Sequence, residues 1–214
     1  MRTIIRPCLT IFSLMALLTG IIYPLAITAG AQWLFPVEAN GSLINRLGKA
    51  TTNTAKAVGS RLIGQNFTSP RYFWPRPSAT NPPYNADAST GSNYGPRSPA
   101  LQTEVKTAVR HLQRADRGNL HPIPVDLVTS SASGLDPDIS PAAAYYQASR
   151  VAAARHMPVA PVKKLIAESI REPWLGFFGE CYINVLELNI HLDQLSAKWN
   201  IKRKLHHHAG RSTP

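Results

Sequence analysis

From Leu9 to Phe35 the chain reads LTIFSLMALLTGIIYPLAITAGAQWLF, and the stretch from Pro7 to Val37 holds no Asp, Glu, Lys or Arg. As a helix those 27 residues span roughly 40 Å at about 1.5 Å per residue. That exceeds the ~30 Å hydrocarbon thickness of a bilayer. Ten residues between Leu9 and Ile27 are Leu, Ile or Phe. On an insertion scale they contribute about −3 to −6 kcal/mol, enough to carry Thr10, Ser13, Thr19 and Gly20 across. Pro24 introduces a kink that helices in lipid tolerate, and Trp33 falls at interfacial depth. Residues 9–35 are therefore expected to form a transmembrane helix behind a short cytoplasmic N-terminus, residues 1–8.

The competing reading is a cleaved signal peptide, with Arg2 and Arg6 as its positive region and Ala29-Gly30-Ala31 as its cleavage site. A signal core runs to about 7–15 apolar residues, and this one is nearly twice that. The uncleaved anchor is the stronger reading. Within it, Gly20 and its small neighbours are candidates for close helix packing, together with Tyr23 and Pro24.

About 175 residues follow the span, enough for one soluble domain with its own core. No second apolar run reaches spanning length, because VLELNIHL is short and carries Glu187. The positive-inside count is a draw, since Arg46 and Lys49 follow the span as Arg2 and Arg6 precede it. Arg2 and Arg6 lie hard against it, however, and the first charge beyond is Glu38. This predicts a cytoplasmic N-terminus and an extracytoplasmic domain over residues 36–197.

The formal charge of +11 divides as +2 up to Val37, +5 from Lys198 onward and +4 between. The excess sits in KWNIKRKLHHHAGRSTP, expected to be a disordered basic tail over residues 198–214. No nucleic-acid motif accompanies it. Cys8 and Cys181 lie too far apart in the chain's organisation to form a disulfide, and neither has a companion at metal-ligand spacing.

Residues 68–98 are dense in Pro, Ser, Asn and Gly yet carry Tyr72, Phe73, Trp74, Tyr84 and Tyr94. A long aromatic loop follows, expected to pack down or meet a partner. Tyr72, Phe73, Trp74 and Arg76 are its candidate docking residues. Ser98-Pro99 opens a helix to about Ala115. IPVDLVTSS (123–131) reads as a buried strand. Gly134, Asp136, Pro137, Asp138 and Ser140 form a turn and helix cap. AAAYYQASRVAAAR is a strong helix, another begins near Pro161, and residues 183–195 are either a strand running into a helix or helix throughout. Without strict βαβ repetition, the fold class is α+β: one transmembrane helix followed by a single soluble mixed domain.

Catalytic and metal sites are not expected. Asp136 and Asp138 could do acid–base work, but turn chemistry is the plainer reading. The scattered histidines match no HExxH pattern, and GxxxxGK[ST] is absent. Gly64-Gln65 resembles a short fragment of a nucleotide-contacting loop. With Ser92 and Asn93 it makes the candidate nucleotide-linked set.

The stretch PVDLVTSSASGLDPDISPAAAYYQASRVAAAR (124–155) resembles the C subunit of the Kdp-type potassium-transporting ATPase of bacteria and archaea. So do Tyr23-Pro24, GSRLIGQ (59–65), Tyr72-Phe73, Arg76-Pro77-Ser78 and FFGECYINVLELN (177–189). The chain departs from the family's pattern at Thr90, at Cys181 in place of proline, and in the tail after Trp199. The resemblance implies a non-catalytic accessory subunit of a high-affinity potassium uptake pump in the bacterial inner membrane. Its implied partners are a channel-like potassium-translocating subunit, a P-type ATPase catalytic subunit and a small single-span subunit. It further implies a chaperone-like role that raises the ATP affinity of the catalytic subunit, with ATP associated with the complex and potassium carried by a partner. The rival readings are a membrane-anchored extracytoplasmic enzyme and an exported binding protein.

Overall fold

The computed structural model describes the backbone of residues 2–209 and the side-chain surroundings of residues 4–203. The chain opens with one continuous helical rod, built from α1 (Arg2–Leu17), a π turn (Leu18–Ile22) and α2 (Tyr23–Leu34). The π turn has a local cause. Pro24 lacks an N–H and its ring would crowd the carbonyl four residues back, so a wider turn accommodates it. There Tyr23 donates its N–H to the Leu18 carbonyl. The segment Ile4–Leu34 is long and apolar enough to cross a membrane, and none of it is buried against the rest of the protein.

A short α3 (Pro36–Ala39) leads into an antiparallel ribbon of β1 (Leu43–Asn45) and β2 (Ala57–Ser60). Ile44 faces Gly59 across the ribbon, and a bulge follows it. Ile44 also packs on Leu186 and Ile190, which fastens the ribbon to α7 (Val185–Ala209). The Pro-rich stretch after Phe67 then runs without a long helix until α4 (Pro99–Ala115).

The main core lies between α5 (Pro141–Ala154), α6 (Val159–Ser169) and the first half of α7. On α5 the fully buried Ala143, Ala144, Ala148 and Ala152 keep that helix thin, so Val151, Val162, Ile166, Leu188 and Leu192 interdigitate closely. A two-residue ladder, β3 (Asp138–Ile139) with β4 (Ile183–Asn184), ties the α5 entrance to the α7 entrance. The result is α+β and mostly helical.

Two expectations need correction. Residues 123–131 are not a strand: Val125–Leu127 forms a 3-10 turn with Val125 exposed and Leu127 buried. The turn is held because the Asp126 carboxylate accepts the Ser140 N–H at 2.8 Å. The basic tail is not wholly irregular either, since α7 continues through Lys198 to Ala209. No Gly or Pro interrupts that stretch before Gly210, and Lys, Arg and Leu favour helix. Residues 210–214 of the expected tail lie outside the described residues. At residues 183–195 the strand-then-helix alternative is the one the chain adopts.

Candidate functional site

Two side-chain amides organise the aromatic loop. Asn189, facing inward from α7, accepts the Phe73 N–H at 2.9 Å and donates to the Phe73 carbonyl at 3.0 Å. Gln147, one turn inside α5, accepts the Trp74 N–H at 2.8 Å and donates to the Trp74 carbonyl at 3.1 Å. Each amide thus does for one loop residue what a neighbouring β-strand would do. Buried backbone groups must find partners somewhere, and among the described residues these two find them in side-chain amides rather than in a strand.

Two arginines complete the seam. Arg150 donates to the carbonyls of Pro70 and Tyr72 and to Gln147, and its guanidinium lies 3.9 Å from the Trp74 ring centroid. Burial pushes its pKa down to about 10, against the opposing pull of the Asp116 carboxylate and Tyr146. Arg155 donates to the Arg71 carbonyl and pairs with Asp193, whose other oxygen accepts the Tyr72 hydroxyl.

This arrangement overturns part of the docking expectation. Phe73 is 0% exposed and Trp74 is buried, so both are core residues rather than interface anchors. Tyr72 is half-buried, and Arg76 pairs with Asp136 at 2.9 Å. Aromatic residues in a polar loop read alike from sequence whether they pack inward or outward; only the amide partners, far along the chain, decide.

A cleft of about 550 Å³ opens beside the seam, between residues 66–84, α4 and residues 127–130. Trp74 stacks on His111 of α4 in its wall, with ring centroids 4.7 Å apart. Phe67, Leu101, Leu112 and Leu127 supply apolar surface. Its volume falls within the ~300–1,000 Å³ range of small-molecule pockets.

The remaining candidates sit apart from it. At Gly64 a Cβ would collide with the Tyr84 ring and come 2.7 Å from the Asp136 carbonyl, so loop and turn meet there backbone to backbone. Gln65 donates to the Val58 carbonyl. Neither lines the cleft, and the Cβ direction at Gly64 is closed by the Tyr84 ring and the Asp136 carbonyl. Asn93 adopts a positive φ of 53° beside Ser92, after Gly91, which abuts the Ala132 carbonyl.

At the turn, Asp136 accepts the Asp138 N–H and the Arg76 guanidinium. Pro137 offers its carbonyl to the Val185 N–H. Gly134 takes a φ of 69° against Thr80. Ser140 caps α5 by accepting the Ala143 N–H. Burial pushes the Asp138 carboxyl up to about 6; the Asn184 amide opposes this, and the Asp136 and Glu187 carboxylates add to it. In the span, a side chain at Gly20 would touch nothing within 4 Å, and Tyr23 beside Pro24 is exposed. That leaves an open helix face.

Sequence reasoning missed a second group altogether. Glu187, nearly buried at the start of α7, pairs with Arg61 and with Arg171. Arg171 begins a hairpin that returns at Tyr182. The run Trp-Leu-Gly-Phe-Phe between Glu172 and Glu180 was the available signal.

An exposed apolar rod carrying a helical α+β domain fits one class, a single-pass membrane protein. Residues 5–194 match the family described as "KdpC: K+-transporting ATPase, c chain". The potassium-transporting ATPase KdpC subunit of Polaromonas naphthalenivorans is 57% identical over 91% of this chain and 96% of its own length. Those of Variovorax paradoxus and Ralstonia nicotianae are each 54% identical, over 92% and 90% of this chain and 99% and 91% of their own lengths. The chain belongs to the KdpC family and is thus a subunit of a potassium-transporting P-type ATPase complex.

Proposed function

We propose that this chain is a non-catalytic accessory subunit that holds a high-affinity potassium uptake pump together from the bacterial inner membrane. The observation that carries the reading is that the family match runs from within the anchor to within α7, spanning both membrane rod and folded domain. Its partners are a channel-like potassium-translocating subunit, a P-type ATPase subunit that hydrolyses ATP, and a small single-span subunit. The N-terminus lies in the cytoplasm, supported by Arg2 and Arg6 against the span and Glu38 beyond it. The domain then stands outside, by the mouth of the channel-like subunit, where no ATP is present. Any rise in the ATP affinity of the catalytic subunit is transmitted through coupled equilibria of the complex. Potassium passes through the partner.

Affinity purification of the tagged full chain from gently solubilised membranes tests the assembly role. Co-elution of a large multi-span polypeptide and an ATPase is expected; a chain that elutes alone sinks the proposal. Protease added to spheroplasts should cut the domain, and protection there with cleavage in inside-out vesicles would reverse the orientation.

A further inference from the structure

The hairpin between α6 and α7 exposes side chains that a free domain has no reason to leave in water. Arg171 and Tyr182 exchange two backbone hydrogen bonds at its base, and Trp174 and Phe178 exchange two more near its tip. Leu175 and Gly176 turn the chain with φ values of 54° and 80°. That tight turn points its large apolar side chains outward. Trp174 is 70% exposed, Leu175 65%, Phe177 69% and Phe178 55%. Elsewhere in the same domain Phe73 is fully enclosed, so the fold can bury aromatic residues where it has a use for them.

The base of the hairpin is built rather than loose. Arg171 pairs with Glu187, Glu187 with Arg61, and the Arg61 N–H donates to the Ser42 carbonyl just past the membrane rod. The hairpin is thus braced through two ion pairs to the point where the chain leaves the apolar helix.

We infer that the tip Trp174–Phe178 is the docking surface of this chain for a co-assembled membrane subunit, and that it fills an apolar pocket with a basic rim on that subunit. The inference rests on the proposed function for the existence of the partner and names the surface that meets it. Size is the first argument. Four side chains at these exposures present roughly 500 Å² of apolar surface. That is at the upper range of the largest patch on an ordinary monomer and over half of the ~800 Å² each partner contributes to a standard interface. Aromatic residues with charge depleted at the centre are what interface cores contain.

Charge is the second argument, and it selects a protein over lipid. Segments that lie on a bilayer carry Lys or Arg to meet anionic headgroups. This tip carries none, and Glu172 and Glu180 stand on either side of it. Arg171, at the base of the hairpin, is held by Glu187. Acidic flanks around an apolar tip match basic groups around an apolar pocket.

The test uses the full chain in membranes containing its partners. The Trp174→Ser/Phe177→Ser double variant is expected to lower recovery of the channel-like subunit at least tenfold, while hydrogen exchange of α5 stays as in the wild type. Undiminished recovery overturns the inference. Glu172→Lys/Glu180→Lys is expected to lower recovery severalfold; unchanged or higher recovery overturns the basic rim. A photoreactive benzoylphenylalanine replacing Phe177 should crosslink to a partner polypeptide. Crosslinking to phospholipid alone overturns the inference in favour of the bilayer. A wild-type chain that recovers no subunit overturns the proposed function itself, whereas wild-type recovery with unaffected variants removes only the hairpin's role.

Discussion

The Asn189 side-chain amide meets the backbone of Phe73 with both of its polar atoms, at 2.9 and 3.0 Å, across 116 positions of sequence. Phe73 itself is fully buried. One amide on α7 therefore sets where the aromatic loop enters the core. Asn189→Ala would strand a buried N–H and a buried carbonyl, each costing about 1–3 kcal/mol. Denaturant unfolding of the full chain should show a loss of about 2–6 kcal/mol, and a loss under about 0.5 kcal/mol would mean that water replaces the amide without penalty.

Phe73→Ala removes a core ring and is expected to cost about 3–5 kcal/mol. The sign that Phe73 belongs to the fold rather than to an interface is that unfolding and loss of co-purification move together. A variant with wild-type stability that nevertheless failed to assemble would restore Phe73 as a docking residue.

Gly64→Ala tests the nucleotide reading of the glycine directly. Its Cβ would press on the Tyr84 ring and the Asp136 carbonyl, and overpacking of this kind costs about 1–3 kcal/mol. Thermal unfolding should shift down. A variant with an unchanged melting curve but a weakened response of the complex to ATP would point to nucleotide contact instead.

Asp138 gives a pH-dependent prediction. Its carboxyl is pushed up from 3.8 to about 6 by burial foremost. The folded state therefore binds the proton more tightly than the unfolded chain, and stability falls as pH rises from about 4 through about 6. Above that window the cost persists. Asp138→Asn keeps the shape without the charge and should melt higher than wild type at pH 7–8, with the gap closing near pH 4. A gap that stayed constant across that range would show that ionisation of Asp138 does not bear on folding.

Glu187→Gln should loosen the hairpin selectively. It removes the charge shared by Arg61 and Arg171, both partly exposed, and costs about 1–2 kcal/mol. Faster hydrogen exchange confined to residues 171–182, with α5 unchanged, is the expected signature. Uniformly faster exchange through α5 and α7 would place Glu187 in the global fold instead.

The helices were largely open to reading because their causes are local. Ser140-Pro141 starts α5 and alanines continue it, and Pro99 stands at the start of α4. Residues 123–131 misled because an apolar run bounded by turns suits a strand only if a neighbouring strand exists to pair with it. Here Asp126 is recruited by Ser140, and the segment turns instead. The aromatic loop misled for a related reason. Its composition announces contact, but the partners are Gln147 and Asn189, both remote in sequence.

By itself the sequence determined the membrane rod, since an uncharged run from Pro7 to Val37 has one economical home whatever surrounds it. It also determined family membership and the places where helices begin. Only the tertiary structure decided which aromatic side chains turn inward and which remain at the surface. Hydrophobicity says that a ring prefers to leave water, but where it can do so depends on the polar groups available to satisfy the backbone beside it. Phe73 has Asn189 and Trp74 has Gln147, whereas Trp174 and Phe178 pair their backbones with each other at the tip of an exposed hairpin.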